Sequence, residues 1–267
     1  YLMLLERREQ ATISLAATIN KARVIDAPLT ADAPIAPKSP MIYAGSLFMA
    51  CIMTIALILF KDMFRTKISS ISEVEAIQLP IVGTIPLDKE QIGVTEGKNG
   101  LMEESFRRLR SNLRFLTEKG DEKCILITSS TSGEGKSFIS INLALSFAFL
   151  GCRVLIVGLD IRRPRLAEHF HIQNRQGITN FLAGNEVKPE SIIYPSGVHE
   201  LLSVVPSGPV PPNPAELLER ERLKDAFTYF RKHFDYIIVD SAPTGLASDT
   251  LSLSKVTDFT LYVCRIN

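Results

Sequence analysis

One stretch constrains the fold of this chain more than any other: residues 124–137, which read CILITSSTSGEGKS. Residues 124–128 are apolar or β-branched, which is typical of a buried strand. A loop rich in serine and glycine follows and ends in Lys136 and Ser137, where an apolar helix begins. A strand, a glycine-bearing loop and a helix in this order form the phosphate-binding loop pattern. It predicts that backbone N–H groups and the start of the helix surround nucleotide phosphates.

The loop also suggests roles for single residues. Lys136 is long enough to reach the β- and γ-phosphates, and the Ser137 hydroxyl can bind Mg²⁺. The usual first glycine of the G-x-x-x-x-G-K-[ST] pattern is Ser130 here, so an ordinary Gly/Ser turn is the alternative. The Gly-Lys-Ser sequence at a strand–helix junction favours nucleotide binding. The predicted ATP-binding residues are Ser132, Gly133, Glu134, Gly135, Lys136, Ser137 and Phe138.

The second half of the chain alternates apolar runs with helical segments. Besides 124–128, strands are predicted at 153–157, 202–205, 236–239 and 260–264. Helices or helical turns are predicted at 137–150, 165–170, 179–183 and 215–233. Strands that are continuously apolar and separated by helices indicate an α/β fold, in which helices cover both faces of a mostly parallel sheet. Tyr236 and Tyr262 lie in two of these strands and are expected in the core.

Two aspartates follow predicted strands at the edge where such sheets bind ligands. Asp240 comes directly after an apolar run and suits a magnesium-binding carboxylate. Asp160 follows another run and could orient or deprotonate an attacking hydroxyl. Either aspartate could instead cap the next helix. Their position beside a phosphate loop favours function, so Lys136, Asp160 and Asp240 are the predicted catalytic residues, and Ser137, Asp160 and Asp240 are the predicted metal ligands.

The N-terminal part contains an apolar segment, residues 41–60, which carries twenty residues without a charge. At about 1.5 Å per residue it spans roughly 30 Å, enough to cross a bilayer. More cationic side chains follow it than precede it, which by the positive-inside rule places the C-terminal part in the cytoplasm. The chain is thus divided into residues 1–24, the end of a periplasmic helix; 25–40, a proline-rich linker; 41–60, a transmembrane helix; 61–100, a cytoplasmic juxtamembrane linker; and 101–267, the phosphate-loop domain.

Other features of the sequence are less informative. A short hairpin or strand is expected at residues 79–86. The net charge of +1 does not indicate a nucleic-acid partner. The four cysteines show no C-x-x-C spacing, and the four histidines show no metal-ligand spacing and are expected at the surface.

Residues 101–116 form a predicted amphipathic helix with an unusual polar pattern. Glu104, Arg107 and Arg110 recur at every third position. Spacing alone favours a solvated face with intrahelical ion pairs such as Glu104–Arg108.

Together these motifs resemble the bacterial tyrosine kinases (BY-kinases) that are fused to polysaccharide co-polymerases of capsular and exopolysaccharide biosynthesis. The proline-rich segment before the membrane helix matches, as does the loop SSTSGEGKS. GLDIR is similar to the Walker A′ motif D-x-D-x-R of that family, and IIVDSAP is similar to its Walker B motif. The E-x-x-R-x-x-R helix and the segment GPVPPNPAELL also resemble family features.

The resemblance implies an inner-membrane tyrosine autokinase that uses ATP and Mg²⁺ and phosphorylates tyrosines in the tail of a neighbouring subunit. It implies a homo-oligomeric ring, an octamer, in which Glu104, Arg107 and Arg110 contact the next subunit. Implied partners are the polysaccharide polymerase and export machinery and a cognate tyrosine phosphatase, with control of chain length and export as the outcome. It also implies a fragment that lacks the first membrane helix, the large periplasmic domain and the tyrosine-rich tail.

One departure from the family pattern leaves two alternatives open. Gly158 stands where the Walker A′ motif has its first aspartate, which in the family helps to hold Mg²⁺. The protein could therefore be a structural co-polymerase with a regulatory or weakly active nucleotide site. A MinD/ParA-like membrane ATPase is the other alternative. Its variant loop would carry an additional lysine at the position of Thr131, which argues against it.

Overall fold

The computed structural model describes residues 1–17, 39–63, 70–75, 78–87, 92–95, 97, 100–117, 124–173, 176–184, 186–245 and 252–266. The chain divides into two compact units, Tyr1–Thr66 and Lys67–Asn267.

The first unit consists of two helices, α1 (Leu2–Ala17) and α2 (Ser39–Met63). Ser39–Lys61 of α2 is long and apolar enough to cross a membrane, and its most apolar window is not buried against protein. The predicted span 41–60 lies inside this helix. Pro40 stands in the first turn, where a missing N–H group leaves no hydrogen bond unmade. Most of the proline-rich linker lies outside the described residues.

The second unit is an α/β domain built on a 6-stranded sheet with the order β3-β4-β2-β5-β1-β6. Neighbouring strands are parallel except β3 and β4, which are antiparallel. The strands are β1 (Cys124–Ser129), β2 (Val154–Leu159), β3 (Tyr194–Pro195), β4 (Leu202–Val205), β5 (Tyr236–Ser241) and β6 (Phe259–Val263). The helices are α3 (Ile71–Glu75), α4 (Leu101–Thr117), α5 (Lys136–Ala148), α6 (Leu166–His169), α7 (Ile178–Ala183), α8 (Pro214–Leu218) and α9 (Arg222–His233), with 3₁₀ turns at Pro189–Ile192 and Leu253–Lys255.

Alternate residues of the central strands enter two separate apolar layers. Ile125 and Ile127 of β1 join a cluster that includes Phe106 of α4 and Phe147 of α5. Leu126, between them, joins the cluster of α7, α8 and α9. Because side chains alternate along a strand, helices cover both faces of the sheet, as the continuous apolar runs predict.

The prediction of one helix at 215–233 is wrong, because the chain forms α8 and α9 with a break between them. At the break, Arg220 donates hydrogen bonds to the carbonyl oxygens of Leu182 (3.1 Å) and Ala183 (3.2 Å), at the end of α7. These terminal carbonyls have no partner within their own helix. The turn thus brings a cation to the negative end of a neighbouring helix.

Two smaller expectations also differ from the structure. Tyr262 is 47% exposed, because β6 is an edge strand and this side chain points away from the core. Residues 78–87 form no strand or hairpin among the described residues. They are held instead by the Asn112 side-chain amide, which donates to the Val82 carbonyl at 2.7 Å.

Candidate functional site

The loop between β1 and α5 has the backbone shape of a phosphate cradle. Gly133 and Gly135 have φ values of 92° and 97°, in the left-handed region that side chains with a Cβ rarely adopt. A Cβ at either position would meet no atom within 4 Å, so backbone conformation, and not lack of space, requires glycine there. The open space beside both glycines leaves room for a group bound against the backbone.

Glu134, between the two glycines, holds the loop together. Its carboxylate accepts hydrogen bonds from the Ser130 hydroxyl (2.9 Å) and from the Thr131 N–H (3.0 Å). Partial burial would raise the pKa of Glu134, but these hydrogen bonds outweigh it and lower the pKa. The glutamate therefore stays ionised and connects the second half of the loop to Ser130 and Thr131 in its first half.

Asp240 is the centre of the polar contacts at this edge of the sheet. It is 3% exposed and lies in register between Ile127 of β1 and Gly158 of β2. Its Oδ2 accepts a hydrogen bond from the Ser137 hydroxyl at 2.8 Å, and its Oδ1 accepts one from Ser140 at 3.1 Å. Because the Ser137 hydroxyl donates its hydrogen bond to Asp240, the lone pairs of the Ser137 oxygen remain available to a cation.

The charge of Asp240 suits a magnesium site. Burial raises its pKa to about 6, while hydrogen bonds from Ser137 and Ser140 and the charge of Lys136 oppose that rise. The carboxylate is therefore mostly ionised at neutral pH. A buried carboxylate and a hydroxyl beside a phosphate cradle are the oxygen donors that Mg²⁺ prefers. These residues fit the ion.

Asp160 follows β2 and is fixed by three hydrogen bonds. Its N–H donates to the Asp240 carbonyl (3.1 Å), and its Oδ1 accepts from the Arg163 N–H (3.0 Å). Its own carbonyl accepts from the Ser207 hydroxyl (3.3 Å). Contrary to the alternative interpretation, Asp160 does not cap the next helix, because α6 begins at Leu166 with Arg165 at its N-cap. Its carboxylate instead holds the bend that follows β2, and it lines the same cavity as Asp240.

Two cavities meet at the phosphate loop. The first, here the polar cavity, has a volume of about 500 Å³ and is lined by the predicted residues Ser132, Gly133, Gly135, Lys136, Ser137, Phe138, Asp160 and Asp240. The second, here the apolar cavity, has a volume of about 530 Å³ and includes Ile85, Leu109 and residues 261–266. Gly133, Gly135 and Phe138 line both, and Glu134 lines the second. The structure therefore brings all predicted nucleotide residues together.

Several residues of the polar cavity were not predicted from the sequence. Arg163, Arg165, His169 and Ser207 also line it. Three arginines within residues 162–165, directly after a strand end, were a visible signal. His169 was expected at the surface but is only partly exposed. Ser207 belongs to the proline-rich loop, where no local pattern marks it.

The polar residues of α4 make contacts within their own domain. Glu104 pairs with Arg107 at 2.9 Å and with Arg108 at 3.1 Å, which confirms the expected intrahelical pair. Arg110 reaches α5, where it donates to the carbonyl and, at 3.2 Å, to the hydroxyl of Ser146. Burial, then repulsion from Arg107 and Arg114, lowers the pKa of Arg110. Of the three residues in the motif that implies an oligomer contact, Glu104 and Arg107 therefore form ion pairs on the surface of α4, whereas Arg110 binds α5.

We expect Arg110→Ala to lower stability, because it removes a cation from a carbonyl in the last turn of α5. A hydrogen bond from a charged group to a buried acceptor contributes about 1–2 kcal/mol, or roughly 3–6 °C in Tm for a domain of this size. Thermal unfolding of the detergent-solubilised chain measures the change.

Arg107→Ala is the matched control for this experiment. Its side chain is 50% exposed and pairs with a partly exposed glutamate, so its loss should cost at most about 0.5 kcal/mol. Equal Tm values for both variants would contradict a structural role for Arg110.

Family models match both units of the chain. The model for GNVR, described as a "G-rich domain" of tyrosine kinases, matches residues 1–63. A model for an AAA domain matches residues 122–257. The first unit of the chain thus matches a tyrosine-kinase-associated domain, and the second unit matches an AAA domain.

The chain is similar to curated proteins and solved structures that are named as tyrosine kinases. Tyrosine-protein kinase YwqD of Bacillus subtilis is 33% identical over 177 residues, which cover 66% of this chain and 73% of that protein. Tyrosine-protein kinase ptk of Acinetobacter johnsonii is 30% identical, covering 82% of this chain but 32% of that protein.

The kinase domain of Escherichia coli tyrosine kinase ETK has a TM-score of 0.65 and 28% identity, over 72% of this chain and 81% of that one. The chimerical protein CapA2B2 gives a TM-score of 0.67 and 31% identity, over 72% and 84%. The chain belongs to the bacterial tyrosine kinase (BY-kinase) family.

Proposed function

We propose that this protein is an ATP-dependent protein-tyrosine kinase anchored in the bacterial inner membrane by α2, with its α/β domain in the cytoplasm. The observation that carries the proposal is the hydrogen bond from Ser137 to the buried Asp240 beside the phosphate loop, in a chain of this family. A carboxylate held in this way is what a magnesium nucleotide needs. The apolar character of α2 supports the membrane anchor.

ATP would bind across the phosphate loop. Its triphosphate would lie along residues 132–138 with Lys136 at the β- and γ-phosphates, and its adenosine would enter the apolar cavity. Ser137, Asp240 and Asp160 would hold Mg²⁺, which supplies positive charge to neutralise the phosphate oxygens. The geometry of the two cavities, which share Gly133 and Gly135, supports this arrangement.

The acceptor would be a tyrosine hydroxyl in the polar cavity. Its oxygen would form a bond to the γ-phosphorus while the bond to the β-phosphate oxygen breaks, and ADP would leave. The phenolic proton would pass to Asp160, which lines the cavity and is held in place by three hydrogen bonds. Positioning and charge neutralisation would provide most of the rate enhancement.

The cellular role follows from the resemblance and is part of the proposal. Subunits would assemble into a homo-oligomeric ring. Glu104 and Arg107 are partly exposed and could contact the next subunit, while Arg110 binds α4 to α5 within the same subunit. Each phosphorylated tyrosine adds about two negative charges, which would loosen the ring. Ring assembly and dephosphorylation by a cognate phosphatase would then regulate polysaccharide chain length and export.

One observation favours a second candidate, a structural co-polymerase with a regulatory or weakly active nucleotide site. Gly158 is the register neighbour of Asp240, so the proposed magnesium site would contain one carboxylate fewer than the motif that it resembles. Such a protein would bind nucleotide with slow or no phosphoryl transfer.

The test is tyrosine phosphorylation by the full chain, purified in detergent and supplied with Mg-ATP and an uncharged tyrosine peptide. We expect peptide phosphotyrosine that disappears when the magnesium is chelated. Nucleotide binding without phosphotyrosine would favour the regulatory co-polymerase. Phosphate release without phosphotyrosine would favour the membrane ATPase.

A further inference from the structure

The segment after β2 gives the polar cavity an unusual concentration of positive charge. Two carboxylates line the cavity, Asp160 and Asp240. The basic side chains that line it are Lys136, Arg162, Arg163, Arg165 and His169. Lys136 belongs to the phosphate loop, and the segment after β2 supplies the three arginine cations. Burial lowers the pKa of His169, so this side chain is a neutral imidazole at neutral pH.

Arg163 and Arg165 differ from most arginines of the domain. Both are exposed, and neither guanidinium forms an ion pair or hydrogen bond with any part of the chain that the structure describes. Arg153 and Arg231, by comparison, each bind an aspartate at 2.8 Å or less. Arg163 and Arg165 can therefore bind an anion without giving up an existing partner among the described residues.

The backbone that carries these arginines is firmly held. The Arg163 N–H donates to Asp160 at 3.0 Å, and Leu166 and Ala167 are both 2% exposed. His169 follows one turn later, partly buried at the cavity wall. The two guanidinium groups are thus carried by a backbone that is hydrogen-bonded directly to the proposed proton acceptor, which is the arrangement that a binding subsite needs.

We propose that Arg163 and Arg165, with His169, form an acceptor subsite that selects tyrosines flanked by negative charge. This inference rests on the proposed kinase function. The cavity admits the acceptor beside Asp160, and a tyrosine side chain is uncharged at neutral pH, so a matching anion must lie at neighbouring positions of the peptide. Carboxylate side chains or phosphotyrosines from an earlier transfer would supply it.

The experiment uses the full chain in detergent with Mg-ATP and four tyrosine peptides that differ at the flanking positions. These carry glutamate, its neutral isostere glutamine, lysine or phosphotyrosine. We expect kcat/KM for the glutamate peptide to exceed that for the glutamine peptide about tenfold, through KM, since exposed charge pairs contribute modestly. The preference should shrink at high salt. The phosphotyrosine peptide shows whether phosphate replaces carboxylate.

The Arg163→Gln/Arg165→Gln double variant should lose the preference. Arg165→Glu should reverse it toward the lysine peptide, which a misfolded or merely weakened enzyme would not do. Lys232→Gln is the matched control, because Lys232 is exposed on α9 and lines neither cavity. It should retain the wild-type preference.

Four results would overturn the inference. Phosphorylation of all four peptides with equal kcat/KM would remove the subsite but leave the kinase intact. A preference that survives in the double variant would place recognition elsewhere. Weaker binding of a fluorescent ADP analogue in the double variant, with the peptide preference unchanged, would assign the arginines to the nucleotide. If no peptide is phosphorylated, the kinase proposal itself fails and this inference fails with it.

Discussion

Replacing Lys136 with methionine is expected to reduce tyrosine phosphorylation at least a hundredfold. Lys136 is the first residue of α5 and is 8% exposed, so its ammonium group works in a largely dehydrated position. Removing one preorganised charge from a phosphoryl-transfer site costs about 3 kcal/mol in the transition state. Methionine keeps most of the length of the side chain and removes the ammonium group with its charge and its hydrogen-bond donors.

The same substitution should act on Asp240 as well. The positive charge of Lys136 opposes the burial that raises the Asp240 pKa to about 6. Without it the pKa rises further, so any residual magnesium-dependent activity should require a higher pH than in the wild type. The pH dependence of the remaining phosphotyrosine signal measures this shift.

Lys232→Met is the matched control, since it removes an exposed cation of α9 outside both cavities. It should retain wild-type phosphorylation. A Lys136→Met variant that retains more than about a tenth of the wild-type rate would contradict the role of Lys136 in transition-state stabilisation.

The features that were predictable from the sequence have local causes. The apolar runs of β1, β2 and β5 and the Gly-Lys-Ser junction each produce a pattern within a few residues. The parallel topology then follows, because such runs need helices on both faces. The meeting of Asp160 and Asp240 is also a consequence, since parallel strands end at one edge of the sheet.

The features that were missed depend on contacts between distant positions. Asn142 of α5 accepts hydrogen bonds from the N–H groups of Gly93 (2.8 Å) and Val94 (2.9 Å) and so docks part of the juxtamembrane segment. Arg110 binds Ser146 in the same long-range manner. Neither contact produces a local period, and an asparagine within an apolar helix gives no sign of its partner. Tyr262 was misjudged because an apolar run does not distinguish an edge strand from a central one.

Gly158 has a structural reason to lack a side chain. A Cβ there would lie 2.9 Å from the Ser207 hydroxyl oxygen and 3.2 Å from Leu166 Cδ2. The φ of Gly158 is outside the left-handed region, so space and not backbone conformation is limiting. The Ser207 hydroxyl, which donates to the Asp160 carbonyl, occupies the place beside β2 where a side chain at 158 would begin.

Gly158→Asp is therefore expected to destabilise the protein when magnesium is absent. The new carboxylate would stand in register with Asp240, whose burial already disfavours its charge. Crowding and like-charge repulsion together should cost about 3 kcal/mol, or roughly 10 °C in Tm. Gly158→Ala separates the two causes, because it adds only the methyl group and should cost about 1–2 kcal/mol.

Adding Mg²⁺ should recover much of the stability lost in Gly158→Asp and little of that lost in Gly158→Ala. Only the aspartate variant places a second carboxylate in register with Asp240, and the charge of the ion relieves the repulsion between the two. The Gly158→Asp/Ser207→Gly double variant should recover part of the steric cost without magnesium, since it removes the hydroxyl that a Cβ would meet at 2.9 Å and leaves the contact with Leu166. Tm measured across a magnesium titration, without nucleotide, tests both statements.

If phosphorylation by Gly158→Asp/Ser207→Gly rises well above that of the wild type, the site is a kinase centre weakened at Gly158. If magnesium stabilises the alanine and aspartate variants equally, residue 158 does not face the ion, and the regulatory co-polymerase loses the observation that favours it.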